Sequence, residues 1–378
     1  MKRIFLDYQS TTPVDPRVLD KMLPYFTEKF GNPHSAEHIY GIESFNGVEN
    51  AAGEISGALG VAAKDLVFTS GATEANNLAF RGLLGRAKGH FVSSLTEHKS
   101  VTGTLTALEK LGHKTSWVPV DSQGIIDLDA LAAAITPKTT LVSIMAVNGE
   151  IGVIQPIDAI GAMCRSRGVP LHTDAAQAFG KIDMRGVIPH ADFVSLSAHK
   201  IYGPKGVGAL YIKHELRKRL HPLITGAGQQ GGARAGTLPT PLIVGFGAAA
   251  ILANEGRLEE TSRLAGLRKR LLQGLQEAAG PVLVNGSRES RIAGNLNLRF
   301  PGVDADSLLM MVPQLALSTG SACSSGALGP SEVLLALGLS QEDASQSVRL
   351  GLGRMTTEDE IDEAVRLLVG AIGRLRDS

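Results

Sequence analysis

Several polar residues stand directly after apolar runs, where a buried strand would deliver them to the edge of a sheet. Lys200 is the foremost. It ends Ser195-Leu196-Ser197-Ala198-His199-Lys200, and the chain then breaks into Gly203, Pro204, Gly206 and Gly208. Such a segment can hold a lysine rigidly, and a desolvated amine near other positive groups deprotonates easily enough to act as a covalent catalyst. The plain alternative is a surface lysine in a turn. Asp174 ends the run Leu171-His172-Thr173. A buried carboxylate there needs a cation or several donors, although Asp is also a favoured helix cap. Ser70-Gly71-Ala72-Thr73-Glu74 opens a helix after an apolar run. Free N–H groups and the helix dipole suit a phosphate there, and an ordinary N-cap by Ser70 or Thr73 reads the same. His98 follows the run 91–95 and is either a functional imidazole or a helix cap. Asn148 could hold a ligand oxygen, but Asn148-Gly149 is also a turn dipeptide. Arg349 is a charge inside a strand-like run, which points it at a carboxylate.

Two cysteines differ in setting. Cys164 lies in an apolar helical stretch and reads as inert, whereas Cys323 lies among small residues in Ser318-Thr319-Gly320-Ser321-Ala322-Cys323-Ser324-Ser325-Gly326. An accessible thiol of that kind can be a nucleophile. Arg234 and Thr237 belong to a Gly-rich stretch, 226–237, that either closes over something, reaches a partner subunit, or is a mobile linker. In combination, a lysine for a Schiff base, an aspartate for a pyridinium nitrogen, a phosphate cradle and an arginine for an α-carboxylate specify a pyridoxal 5'-phosphate site.

The elements that must position these residues are legible as alternation. Apolar runs at 66–69, 91–95, 115–120, 141–147, 170–173, 193–196 and 209–212 are separated by helical spacings at 74–84, 100–111, 128–135 and 157–167. That pattern means a mostly parallel sheet of seven strands between helices. A long helical stretch at 241–279 leads into an α+β region with strands at 295–300, 315–318 and 348–350 and helices at 331–337 and 358–375. The expected division is a large α/β domain at 15–255, with dimer contacts. A smaller α+β domain comprises 1–14 and 256–378 and carries the Cys323 loop. The 378 residues are 43% hydrophobic and 20% charged, with 37 basic and 37 acidic side chains. Zero net charge and 4% aromatic residues argue against a nucleic-acid surface. No apolar stretch is long enough to span a membrane, and Asp7 interrupts the N-terminal run, so a cytoplasmic protein without a signal peptide is expected.

Read end to end, the chain resembles the cysteine desulfurases of the aminotransferase class V family, fold-type I, in their NifS/IscS-like group. The resemblance rests on Leu6-Asp7-Tyr8 through Thr11-Thr12-Pro13, Gly31-Asn32-Pro33-His34-Ser35, Thr69-Ser70-Gly71-Ala72-Thr73-Glu74, Thr96-Glu97-His98-Lys99 and Val147-Asn148-Gly149-Glu150-Ile151-Gly152. Asp174-Ala175-Ala176-Gln177, His199-Lys200-Ile201-Tyr202-Gly203-Pro204-Lys205-Gly206, Arg234-Ala235-Gly236-Thr237 and Gly320-Ser321-Ala322-Cys323 complete it. It implies that Lys200 carries the cofactor, Asp174 pairs with the ring nitrogen, and His98 stacks on the ring as an acid/base near the substrate thiol. Gln177 and Asn148 would meet the ring hydroxyl oxygen, with Asn148 also near the substrate carboxylate. Ala72, Thr73, Ser197 and His199 would hold the phosphate, Thr237 would reach the neighbouring subunit's phosphate in a homodimer with shared sites, and Arg349 would clamp the substrate carboxylate.

The activity so implied is removal of sulfur from L-cysteine, leaving L-alanine and a persulfide on Cys323. That sulfur would go to an acceptor protein for Fe–S cluster assembly or thiolation. No metal site is expected, apart from Cys323 as a passing iron–sulfur ligand during cluster transfer. A class V aminotransferase or a selenocysteine lyase is the alternative, and a cofactor-free scaffold a more distant one. The thiol at Cys323 speaks against the first, and Lys200 with Asp174 against the last. Two departures stand out: Asn148-Gly149 where Asn-Asn is common, and Gly226-Ala227-Gly228-Gln229-Gln230 where three glycines and Gln-Glu are common. The chain also stops at Arg374-Leu375-Arg376-Asp377-Ser378, without the tail by which IscS-like members dock a scaffold, so that docking mode is not expected.

Overall fold

A computed structural model describes residues 3–85, 88–319 and 329–377. The seven apolar runs form one sheet in the order Leu66–Thr69, Gly208–Ile212, Phe193–Ser197, Leu171–Asp174, Thr139–Ser143, His90–Ser94 and Lys114–Val118. All neighbours are parallel except Gly208–Ile212, which is antiparallel to the strands on both its sides. Phe193–Ser197 and Gly208–Ile212 are buried throughout, as strands covered on both faces must be. Alternate residues feed two cores. Val92, Val142, Val194 and Leu196 pack with the helices Ile39–Leu59, Ile157–Ser166 and Thr240–Glu255. Phe91, Leu141, Phe193 and Leu210 pack with Ala72–Gly82 and Lys99–Lys110 on the other face.

A third core joins Leu271, Leu298, Phe300, Leu350, Ile361 and Leu368. Its antiparallel sheet runs Ser318–Thr319, Ser347–Gly351, Asn295–Arg299, Leu283–Val284, backed by the helices Arg257–Ala278 and Glu358–Arg376. Two expectations change here. The stretch 241–279 is two helices that meet at Gly256, a weak helix former whose φ of −83° and ψ of −2° stay in the right-handed region and whose N–H still donates to Leu252 O at 3.1 Å. The run 315–318 is likewise split: Leu315–Ala316 pairs in parallel with Ile4–Phe5, and Ser318–Thr319 turns to another sheet. Among the described residues, no helix is long and apolar enough to cross a membrane.

The N-terminal arm ties these bodies together. Ile4 and Leu6 are buried in the third core. Gly351 N–H donates to Leu6 O at 2.6 Å, and Tyr8 N–H to Gly351 O at 3.2 Å. Farther along, Thr12 N–H donates to His199 O and Asp15 N–H to Tyr202 O, both at 3.0 Å. Tyr202 takes φ +67°, a left-handed conformation costly for an aromatic residue, and its N–H donates to Thr12 Oγ1 at 2.9 Å.

Two features of the sheet give tests. Gly208 faces Thr69 on one side and Ser197 on the other. A Cβ there would lie 2.4 Å from Leu196 O and 2.7 Å from Gly71 Cα. Gly208→Ala is expected to cost about 1–3 kcal/mol, the range for an overpacked site, read as a fall of several degrees in Tm; an unchanged Tm would contradict this contact. His172 is fully buried, its ring nitrogens 2.8 Å from Ser143 Oγ and 2.9 Å from Ser195 Oγ. Burial pushes its pKa from 6.5 down to about 4. Between those values the unfolded chain binds the extra proton, so this histidine's contribution is intact above 6.5 and is lost as pH falls toward 4. His172→Gln should therefore flatten the loss of unfolding free energy over that window by up to about 1.4 kcal/mol per pH unit, measured by urea titration beside the wild type. Parallel slopes would contradict a neutral buried imidazole.

Candidate active site

Lys200, Asp174, His98 and Asn148 lie at or just after the carboxyl ends of strands of the seven-stranded sheet. Lys200 closes a single 3-10 turn, Ala198–Lys200, after Phe193–Ser197. Its ammonium donates to the backbone carbonyls of Gln9 and Ser10, each at 2.7 Å. Gln177 Nε2 donates to the same Gln9 carbonyl at 2.7 Å, so lysine and glutamine meet at one oxygen. Lys181 Nζ donates to Gln177 Oε1 and thereby fixes which way that amide faces. Burial, reinforced by the charge of Lys200, pushes the Lys181 amine down to about 7. His199 lies beside Thr11, with Nδ1 3.0 Å from Thr11 Oγ1. Burial and the charges of Lys200, Lys205 and Lys181 push it down to about 4, which leaves it neutral.

Asp174 ends its strand 6% exposed. It accepts from Ala176 N–H at 2.9 Å and from Asn76 Nδ2 at 2.7 Å. Asn76 Nδ2 also donates to Ser100 Oγ at 2.8 Å, and that hydroxyl lies 2.8 Å from His98 Nδ1. A buried amide thus links Asp174 to His98. His98 caps the helix Lys99–Lys110: its Nδ1 accepts from Ser100 N–H at 3.1 Å. Its capping alternative is therefore realised, and the residue as a whole is solvent-exposed. Surrounding protein lowers its pKa, with Asp174 opposing and Lys200 and Lys99 reinforcing the shift. Next to it, Glu97 is 4% exposed and burial raises its carboxyl strongly, so it keeps its proton. Glu97 accepts from Met145 N–H at 2.5 Å.

Asn148 is buried and mostly spoken for. Its Oδ1 accepts from the N–H groups of Glu150 at 2.8 Å and Ile151 at 2.9 Å, and its Nδ2 donates to Thr96 O at 2.9 Å. The turn reading is what the geometry realises, with one amide hydrogen to spare. Arg349 does face a carboxylate, that of Asp7: Nη2 donates to Asp7 Oδ1 at 2.7 Å and Nη1 to Gly149 O at 3.1 Å. Its Nε is buried with no hydrogen-bond partner among the described residues.

Before the helix Ala72–Gly82, Ser70 N–H donates to Glu74 Oε2 at 2.7 Å and Gly71 N–H to Thr69 Oγ1 at 3.4 Å, so the donors offered to a phosphate are those of the helix's first turn. Its N-cap is Gly71, with no side-chain cap bond and a φ of +152° that favours glycine. Ser197, 3% exposed, ends its strand across Gly208 from Thr69. Ala72 is half-buried and Thr73 is exposed beside it. Thr237 is exposed as well, on a segment that Arg234 ties to Glu74 with contacts of 2.8 and 3.2 Å. The Gly-rich stretch is thus anchored rather than a loose linker. Cys323 lies outside the described residues. Cys164 is buried and its thiol is pushed up to about 12 by desolvation, which fits inert packing. Among the described residues, no three His, Cys, Asp or Glu side chains gather as a metal site.

Sequence reading missed Asn76, Ser100, Lys181, and the Gln9 and Ser10 carbonyls. Asn76 had a signal: it shares the buried helix face with Ala75, Ala79 and Phe80, and a buried amide needs partners. The carbonyls had none, since every residue carries one.

The aminotransferase class-V family model matches residues 4–364. The cysteine desulfurase IscS of Rickettsia bellii is 49% identical over 377 residues, covering 99% of this chain and 92% of the relative. A solved NifS-like protein superposes with a TM-score of 0.91 at 33% identity, covering 98% of this chain and all of the other. A structure described as SspA in complex with cysteine gives 0.81 at 36% identity over 92% of this chain and 98% of that one. With Lys200 and Asp174 at the strand ends and relatives matched along nearly the whole length, the chain belongs to the aminotransferase class V family and, within it, to the NifS/IscS-like cysteine desulfurases.

Proposed function

We propose that this chain is a pyridoxal 5'-phosphate enzyme that takes sulfur from L-cysteine, releases L-alanine and holds the sulfur as a persulfide on Cys323. The observation that carries the reading is the set of groups near Lys200: a buried carboxylate at Asp174 held by Asn76 and Ala176 N–H, a helix start at Gly71 with no side-chain cap, and an arginine at Arg349 whose Nε has no partner among the described residues. These fit a cationic ring nitrogen, a phosphate and a carboxylate respectively. When bound, the cofactor supplies an electron sink that lets charge develop at the substrate α-carbon.

The chain's residues do the rest. Lys200 would anchor the cofactor and would take the substrate α-proton on Nζ. Asp174 keeps the ring nitrogen protonated, and Asn76 orients that carboxylate. Ala72, Thr73, Ser197 and His199 hold the phosphate, and Gln177 and Asn148 meet the ring hydroxyl. Arg349 fixes the substrate carboxylate, and His98 manages the proton near the thiol. The Cys323 thiolate bonds to the substrate sulfur as the carbon–sulfur bond breaks. The electron pair stays with carbon and takes a proton, so cysteine plus thiol becomes alanine plus persulfide without an outside oxidant. An acceptor protein, an Fe–S scaffold or a thiolation protein, then collects the sulfur. A reducing compartment such as the cytoplasm suits that chemistry.

A homodimer with shared sites accords with exposed apolar side chains gathered at residues 19–45, among them Leu23, Phe26, Phe30, Ile39 and Tyr40. Thr237, exposed on its anchored segment, is the residue offered to the partner's phosphate.

The purified protein is expected to be yellow, to lose the absorbance of its lysine-bound cofactor in Lys200→Ala, and to keep that colour but release no sulfide from cysteine in Cys323→Ala. Alanine and sulfide assays with a reductant decide it; wild-type desulfuration by Cys323→Ala would sink the persulfide assignment.

A further inference from the structure

The strand Leu66–Thr69 lies at the edge of the seven-stranded sheet and leads straight into the Ser70–Thr73 loop. An edge strand presents unpaired N–H and C=O groups. At Phe68 both are taken by one side chain: Phe68 N–H donates to Gln230 Oε1 at 2.6 Å, and Gln230 Nε2 donates to Phe68 O at 2.9 Å. The amide copies the two-point pairing of a neighbouring strand residue. Gln230 holds this pose at φ +53°, which a non-glycine residue adopts at a cost. Arg217 secures it, its Nη2 donating to Gln230 O at 3.0 Å and its Nη1 to Leu66 O at 3.3 Å. Four residues on, Arg234 pairs with Glu74, whose Oε2 accepts from Ser70 N–H at 2.7 Å. The segment bearing Thr237 is therefore fastened at one end to the strand that feeds the phosphate loop and at the other to the loop itself.

We propose that Gln230 is a positioning residue that completes the sheet edge and locks the Thr237 segment to the phosphate cradle, so that cofactor affinity and subunit association rise and fall together. This rests on the reading of the cradle given above. The chemistry of the clamp is specific to an amide. A carboxylate at this position could accept from Phe68 N–H, but its second oxygen would oppose Phe68 O. A protonated carboxyl would again offer one acceptor and one donor.

The test is Gln230→Glu, with Gln230→Met as the apolar control of similar length. Cofactor dissociation constants and dimer dissociation constants are measured from pH 5 to pH 8, each as a ratio to wild type. For Gln230→Glu both ratios should be about tenfold at pH 8 and fall toward pH 5 without reaching one, since a glutamate of pKa about 4.3 is only partly protonated there. For Gln230→Met both should stay raised at every pH. Hydrogen exchange at the Phe68 amide should speed up in step, and it needs no cofactor. Faster exchange with unchanged cofactor and dimer constants would leave only a sheet plug and overturn the coupling. A pH-independent Gln230→Glu ratio, or wild-type exchange at Phe68, would overturn the clamp. Wild-type protein that binds no cofactor would instead fail the functional reading, with the exchange result still scoring the clamp.

Discussion

Two backbone carbonyls, of Gln9 and Ser10, hold the Lys200 ammonium, and the arm that carries them is pinned at both ends. One end is a strand in the third core, at Ile4–Phe5; the other bonds to His199, inside the lysine's turn, and to Tyr202, just after it. A lysine side chain has many rotamers to lose. Two charge-assisted bonds to a segment that cannot move are what make its ordering favourable. The same arm supplies Asp7 to Arg349, so the amine and the guanidinium of the cleft are referred to one stretch of chain. Behind the lysine, Arg354 donates to Asp15 and Glu260, each at 2.9 Å, and stacks 4.1 Å from the Tyr202 ring centre.

Charge states around this cleft are set by packing more than by pairing. Glu97, His172 and His199 are pushed toward their neutral forms, and Lys181 to about 7, each chiefly by burial. Other buried groups are met by hydrogen bonds or partners: Asp174 has Asn76 Nδ2 and Ala176 N–H, and Arg349 has Asp7. The result is a pocket floor with few mobile charges and a small number of directed ones. Such preorganised groups do their electrostatic work without rearranging when charge develops.

The fold was largely legible in the sequence because its signals are local. Seven apolar runs of strand length, separated by helical spacings, are the seven strands of the sheet. The residues after them could be picked out because parallel sheets place ligands at strand ends. What local pattern could not carry was partnership across the chain. Asn148 read as a ligand to a cofactor oxygen or as a turn residue, and the turn it makes with Glu150 and Ile151 also leans on Thr96, 52 positions away. Gln230 stood out as a departure from a familiar motif, yet its use depends on Phe68, 162 positions away. Strand 315–318 was misread for a related reason: a run of apolar residues says that a strand exists, not that its two halves pair with different sheets.

The arm's geometry also governs when the molecule becomes complete. Asp7 and Arg349 are 342 positions apart, and Ile4 pairs with Leu315. The contact of Asp7 must therefore wait for Arg349, 342 positions later, before it can form. Closing so long a loop is slow relative to local helix formation. While the ribosome is still at work, Lys200 can already sit on its strand, but the carbonyls that orient it cannot yet be anchored. A chain cut short before the strand Ser347–Gly351 would keep its lysine and the arm's pairing at Leu315 but lose Arg349 and the bonds of Gly351 to Leu6 and Tyr8 that complete the frame.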